Sequence, residues 1–163
     1  MKRVQGLVAA ILWAAASYPS ASRADDCATI VRALSATAEA PALSQYITMP
    51  GRGERLMSVI LGDTAYMAVA GTGGWQKLPR GQVEAAARRA AADALYSDCK
   101  RLGVGSINGV PATAYEYRLA SRSNMFPPGQ ATVWIGPDGL VLKQESKGAS
   151  LRYEYRDVTA PVP

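Results

Sequence analysis

The chain has 163 residues, of which 48% are hydrophobic, and it carries 18 Lys and Arg against 13 Asp and Glu, a net charge of +5. This length and composition predict one globular domain with a substantial core and exclude a largely disordered chain. The chain contains no histidine, which removes the commonest general base and metal ligand.

The N-terminus has the pattern of a cleaved export signal. Lys2 and Arg3 precede an apolar run over residues 6–16, and small residues lead to a cut after Ala24. The run is too short to cross the ~30 Å hydrocarbon core of a membrane, so we expect no transmembrane anchor after cleavage. Cleavage removes three cations and no acid, which lowers the net charge to +2 and argues against nucleic-acid binding. We therefore expect a soluble periplasmic protein with a single domain over residues 25–163.

Two cysteines, Cys27 and Cys99, remain in the exported domain. An even, small number of cysteines in an exported protein favours one structural disulfide. The alternatives are two separate thiols or a redox pair. Redox pairs usually have a C-x-x-C spacing, which this chain lacks.

The first half of the chain is predicted to form a helix followed by strands. The helix begins at a cap on Asp25 or Asp26 and ends at Pro41, with an apolar stripe on one side. Three strands follow, with a short extended segment after them, at residues 43–49, 54–61, 64–70 and 75–79. The dipeptide Gly62-Asp63 fits a two-residue hairpin turn, which would place Leu61 opposite Thr64 and Val59 opposite Tyr66.

A second helix is predicted at residues 82–96. Its side facing the sheet is a narrow stripe of small residues suited to close packing: Val83, Ala87, Ala90 and Ala94. The next signal is Asn108-Gly109, a strong hairpin turn. Counting outward from this turn places Val104 opposite Thr113 and Leu102 opposite Tyr115 on the covered face, with Arg101 opposite Glu116 outside. Further strands are predicted at residues 130–135, 140–146 and 149–157, which gives about eight antiparallel strands.

Aromatic and charged residues alternate along the last part of this sheet. Tyr115 and Tyr117 flank Glu116, and Tyr153 and Tyr155 flank Glu154. Such alternation is typical of a strand with one covered and one solvated face. The two glutamates are therefore expected on the charged outer face, where ion pairs explain them better than catalysis does. No other catalytic motif is present, and we expect a non-enzymatic protein without a metal or cofactor.

Three hairpin motifs, taken in order, resemble the periplasmic lipoprotein-carrier (LolA/LolB-like) superfamily and its lipid-binding relatives. The first is Gly-Asp-Thr-Ala-Tyr-Met at residues 62–67 with Gly-Trp-Gln-Lys-Leu-Pro at 74–79. The second is Val-Trp-Ile at residues 133–135 followed by Asp-Gly-Leu at 138–140, and the third is Tyr-x-Tyr-x-Asp-Val at 153–158. The chain departs from the pattern at Val141, where a proline is expected.

The resemblance implies an α+β fold, namely a curved antiparallel sheet forming an unclosed half-barrel, with two helices packed on its concave face. Members of the superfamily use that concavity for the acyl chains of lipoproteins or lipids. The ligand-lining candidates are the aromatic residues assigned to the covered face: Tyr66, Trp75, Tyr115, Tyr117, Trp134, Tyr153 and Tyr155. The alternative is that these side chains fill a core.

A second functional class stays open beside the apolar-ligand carrier. A small, disulfide-containing exported protein without catalytic groups also fits a protein-interaction module, such as an inhibitor or immunity-type protein. The candidate contact segment is the loop of residues 122–129, where Met125 and Phe126 place apolar side chains in a non-regular segment.

Overall fold

The computed structural model describes residues 23–69, 71, 73–121 and 128–161. Within these residues lie two helices and nine strands: α1 (Arg23–Glu39), β1 (Ala42–Thr48), β2 (Arg55–Leu61), β3 (Thr64–Ala68), β4 (Trp75–Pro79), α2 (Arg80–Asp93), β5 (Ala94–Ile107), β6 (Val110–Ser121), β7 (Gly129–Ile135), β8 (Val141–Ser146) and β9 (Ala149–Glu154). The predicted signal peptide lies almost wholly outside the described residues, as do Met125 and Phe126.

All nine strands belong to one antiparallel sheet in the order β4-β3-β2-β1-β9-β8-β7-β6-β5. The two edge strands do not pair with each other, so the sheet is an unclosed half-barrel. Both helices pack on the same side, which we call the concave face; the opposite side is the convex face. The predicted α+β class and half-barrel architecture are confirmed.

Helix α1 is fixed to the sheet by a core and by a disulfide. Ile30 and Ala33 are buried against strands β5 to β8. Cys27 in α1 is bonded to Cys99 in β5, with their Cα atoms 5.2 Å apart, which confirms the predicted disulfide. The helix starts at Arg23, two residues before the earlier of the two expected caps. The aspartates expected as caps therefore lie in its first turn, where their charges suit the helix dipole.

The turn at Gly62-Asp63 produces the predicted register between β2 and β3. Leu61 lies opposite Thr64, and Val59 opposite Tyr66. Gly62 adopts a φ of +57°, which glycine reaches without the steric cost of a Cβ atom.

The hairpin of β5 and β6 follows the predicted register only near its turn. Val104 lies opposite Thr113 as expected, but a register shift follows between Arg101 and Gly103. Tyr115 therefore faces Arg101 instead of Leu102. Leu102 is 50% exposed, so the prediction that it lies on the covered face was wrong. A bulge adds one residue to a strand and reverses the side-chain alternation beyond it.

The same hairpin cuts the second helix short. α2 ends at Asp93 instead of residue 96, and Ala94 begins β5. Leu95 and Tyr96 pair with Ala120 and Leu119 of β6. Pairing with a long neighbouring strand here overrides the helical propensity of the alanine-rich segment. No helix in the described residues is both long and apolar enough to span a membrane.

Candidate functional site

Strand register divides the seven predicted ligand-lining aromatics between the two faces. On β3, the fully buried Ala65 packs with Leu43 and Ile60 in a cluster that Val83 of α2 covers. Its neighbour Tyr66 therefore points to the convex face. On β4, Leu78 pairs with Ala65 and therefore lies on the concave face. Trp75 is three positions away from Leu78, an odd number, so its side chain points to the convex face. The assignment of Tyr66 and Trp75 to the covered face was wrong.

Trp134 is the third aromatic on the convex face. Its neighbours Val133 and Ile135 are buried in the core beneath α1, so Trp134 points the other way. It lies across from Lys143, whose Nζ is 5.2 Å from the Trp134 ring centroid. The run Val-Trp-Ile is apolar at every position, which gives no alternation from which its inward face could be read.

Three of the four concave tyrosines pack in or against the core. Tyr117 is 1% exposed, and its hydroxyl accepts a hydrogen bond from Gln144 Nε2 at 2.7 Å. The hydroxyl of Tyr155 donates to the carbonyl oxygen of Val141 at 2.5 Å. Burial raises the pKa of both phenols above the usual value of 10.0. Tyr115 packs against the same core. Tyr115 and Tyr117 thus pack in the core, whereas Tyr155 packs against it and also lines a separate, open pocket of about 430 Å³.

A cavity of about 400 Å³ lies beside this core, between α1, α2 and the sheet. Its walls are mostly apolar, and its lining residues are Val31, Leu34, Ser35, Ala38, Glu39, Gln45, Glu84, Ala87, Arg88, Ala90, Ala91, Tyr96 and Tyr153. Of the seven predicted aromatics, Tyr153 is the one that lines it. Volumes of ~300–1,000 Å³ are usual for small-molecule sites. The concave face thus has a filled part and an empty part.

Small side chains on α2 leave this space open. Ala87, Ala90 and Ala91 face the cavity, and no residue of α2 is buried. Of the four residues in the predicted stripe, Val83 packs on the sheet as expected, Ala87 and Ala90 line the cavity instead, and Ala94 lies in β5.

Arg80 holds the first turn of α2 in place. Its Nη2 donates to the carbonyl oxygen of Glu39 at 2.8 Å, and its Nε to Glu84 Oε1 at 2.6 Å. Arg80 therefore bridges the end of α1 to the start of α2. The other end of α2 continues directly into β5.

The cavity floor is polar where β1 and β9 cross it. Gln45 Nε2 donates to the hydroxyl of Tyr153 at 3.3 Å. That hydroxyl donates in turn to Gln144 Oε1 at 3.4 Å. Burial raises the pKa of Tyr153 to about 12, so the phenol stays neutral at physiological pH.

Charged side chains at the cavity are confined to its rim. Arg88 is 70% exposed and lies 3.8 Å from Glu84, while Glu39 ends α1. An apolar interior with a charged rim can take up hydrocarbon and leave a polar group near water. In the described residues, no three His, Cys, Asp or Glu side chains lie together as a metal site would require.

Tyr96 and Gln45 are site residues that the sequence did not reveal. Tyr96 was assigned to the end of the second helix, and only its pairing with Leu119 brings it to the cavity. Gln45 lies in a predicted strand, where the apolar residues indicated the strand and the glutamine itself indicated no function. The part of the cavity wall that α1 forms was easier to predict from the sequence. Its residues Leu34 and Ala38 belong to the apolar stripe of the predicted first helix.

The two glutamates considered for catalysis lie on the convex face, as predicted. Glu116 lies opposite Lys100, and Glu154 forms an ion pair with Arg152. Arg152 also contacts Glu54 Oε2 at 2.7 Å and lies 4.1 Å from the ring centroid of Tyr46. Glu154 is thus part of a surface charge network around Arg152.

The chain resembles a known protein in its structure but matches none by sequence. The sequence matches no family model, and no curated protein is similar to it. Among solved structures it is similar to the lipoprotein LppX of Mycobacterium tuberculosis, with a TM-score of 0.51 and 14% identity. The match covers 87% of this chain and 99% of LppX. At this identity the likeness shows the fold alone.

Proposed function

We propose that this protein is an exported, non-enzymatic carrier that binds the acyl chain of a lipid or lipoprotein between its two helices and its sheet. The observation that carries the proposal is the cavity of about 400 Å³ under α2. A cavity walled by alanine, valine and leucine side chains offers hydrocarbon an environment that water does not.

Two further observations support this function. The chain shares its fold with a bacterial lipoprotein, LppX, and its hairpin motifs resemble carriers that hold acyl chains. The disulfide between Cys27 and Cys99 fits an oxidising, extracytoplasmic compartment. Cleavage after Ala24 would leave residues 25–39 of α1 as the start of the mature protein.

The size of the cavity sets the scale of the affinity. Burial contributes about 0.8 kcal/mol per methylene, so a twelve-carbon chain would gain roughly 9 kcal/mol. Association costs about 4 kcal/mol or more. The remainder, about 5 kcal/mol, corresponds to a dissociation constant of the order of 0.2 mM for a single chain. Such an affinity suits a carrier that must also release its ligand.

A pair of alanine substitutions on α2 tests the proposal. Ala87 faces the cavity, whereas Ala86 is exposed and does not line it. Ala87→Phe should fill the space and weaken binding of a fluorescent fatty-acid probe at least tenfold. Ala86→Phe adds the same side chain to the same helix and should leave binding unchanged.

Native mass spectrometry of protein purified from its host provides an independent measurement. Co-purified lipid that is lost in Ala87→Phe supports the carrier function. A wild-type protein without lipid and without affinity for the probe contradicts it. If that protein instead retains one stoichiometric protein partner, the interaction-module alternative gains support.

A further inference from the structure

Gln45 and Tyr153, which line the cavity, belong to one continuous chain of hydrogen bonds. Ser58 Oγ donates to Gln45 Oε1 at 3.0 Å, and Gln45 Nε2 donates to Tyr153 Oη at 3.3 Å. Tyr153 Oη donates to Gln144 Oε1, whose Nε2 donates to Tyr117 Oη at 2.7 Å. Each group donates to the next in the same direction, so the bonds polarise one another.

This chain leaves a donor free at the cavity. A glutamine amide carries two N–H groups, and Gln45 uses one of them on Tyr153. Its second N–H has no partner among the residues that the structure describes. Gln45 lines the cavity, so this donor is available to a ligand.

A purely hydrocarbon ligand would cover this donor without satisfying it, and a buried unpaired donor is unfavourable. A carboxylate would satisfy it but would bring a charge onto a floor without a cation. The cation that lines the cavity, Arg88, lies at the rim beside Glu84. A neutral acceptor oxygen meets both conditions.

We infer that Gln45 is a specificity-determining residue that donates a hydrogen bond to the neutral carbonyl oxygen of an acyl ester or amide held in the cavity. The inference rests on the proposed carrier function and names its ligand class. The preferred ligands are esterified or amide-linked acyl chains, and free fatty acids and alkanes bind less well.

Three ligands of equal chain length test this inference with the full exported domain. Methyl dodecanoate, dodecanoate and dodecane compete for a bound naphthylamine fluorescent probe. We expect the ester to bind about tenfold more tightly than the alkane, the gain typical of one satisfied hydrogen bond. We also expect it to bind more tightly than the carboxylate at neutral pH. Equal affinities for ester and alkane would overturn the inference.

Gln45→Met keeps the length of the side chain and removes the donor. In this variant the ester should lose its advantage over the alkane, while alkane affinity stays within about twofold. Ser58→Ala is the matched control, because it removes a neighbour of Gln45 and leaves the amide donor in place. An ester preference that persists in Gln45→Met contradicts the inference.

Infrared spectroscopy gives a readout that requires no variant. The carbonyl band of a ¹³C-labelled ester should move to lower frequency on binding to wild-type protein. An unshifted band in a saturated complex would overturn the inference while leaving the carrier function intact. Failure of all three ligands to displace the probe would instead count against the carrier function itself.

Discussion

Removal of the disulfide should cost this protein a large part of its stability. Cys99 is completely buried, and its bond to Cys27 joins α1 to the edge strand β5 across 72 residues of sequence separation. The perturbation is the double substitution Cys27→Ala and Cys99→Ala. Alanine avoids the unpaired hydroxyl that serine would bury at position 99.

The magnitude follows from the length of the closed loop. A cross-link over 72 residues reduces the entropy of the unfolded chain by an amount equivalent to about 4 kcal/mol at 25 °C. Domains of this size are stable by only about 5–15 kcal/mol, so the variant should be close to marginal stability. With a urea m value of about 2 kcal/mol/M, the unfolding midpoint should fall by about 2 M.

Urea unfolding followed by far-ultraviolet circular dichroism measures this difference. The oxidised wild type, the reduced wild type and the double variant are compared, and the last two should agree. Ile30 and Ala33 still hold α1 on the sheet, so the folded variant should retain probe binding. A stability loss below about 1 kcal/mol would refute the reasoning, because it would mean that the bond does not restrict the unfolded chain.

Two ionisable side chains give further predictions. Arg152→Met should destabilise the fold by about 1–2 kcal/mol at neutral pH, since it removes two partly exposed ion pairs and a cation–π contact. The hydrogen bond from Arg152 lowers the pKa of Glu54 below 4.5, so this contribution is present above pH 4.5 and is lost as the pH falls further. Urea unfolding at pH 7 and at about pH 3 should show the difference shrinking, and a constant difference would contradict the assignment. For Tyr153 the sign is opposite: its pKa is raised from 10.0 to about 12, so its contribution is complete below pH 10 and is lost as the pH rises to 12. Tyr153→Phe should make the fall in unfolding free energy over this interval shallower by about 1.4 kcal/mol per pH unit, and an identical slope would show that this phenol ionises freely in the folded protein.

The sequence predicted register well wherever a tight turn specifies it. The pairs next to Gly62-Asp63 and Asn108-Gly109 were correct because turn geometry determines which residues lie opposite each other. The prediction failed beyond Gly103, where the register of β5 shifts. No turn residue in the sequence marks the position of such a bulge. Its position depends on how the edge strand bends around the core.

Site residues were harder to predict than strands, since the side on which a residue lies depends on its immediate neighbours. Tyr117 and Tyr153 alternate with charged residues and were placed correctly on the concave face. Trp134 lies among apolar residues and was misplaced. Gln45 has no sequence signal of its own, because its role comes from contacts with Tyr153 and Ser58 on two other strands.

The two helices explain why one concave face has both a core and a cavity. α1 presents Ile30 and Leu34 to the sheet, and the side chains around Tyr117 fill the space beneath it. α2 presents Ala87 and Ala90, whose side chains are too short to contact the curved strands below them. A larger residue at these positions would close the space and bury more apolar surface, which should stabilise the empty protein. Alanine at this roof therefore leaves apolar surface uncovered in the unliganded protein, and an acyl chain is the kind of molecule that would cover it.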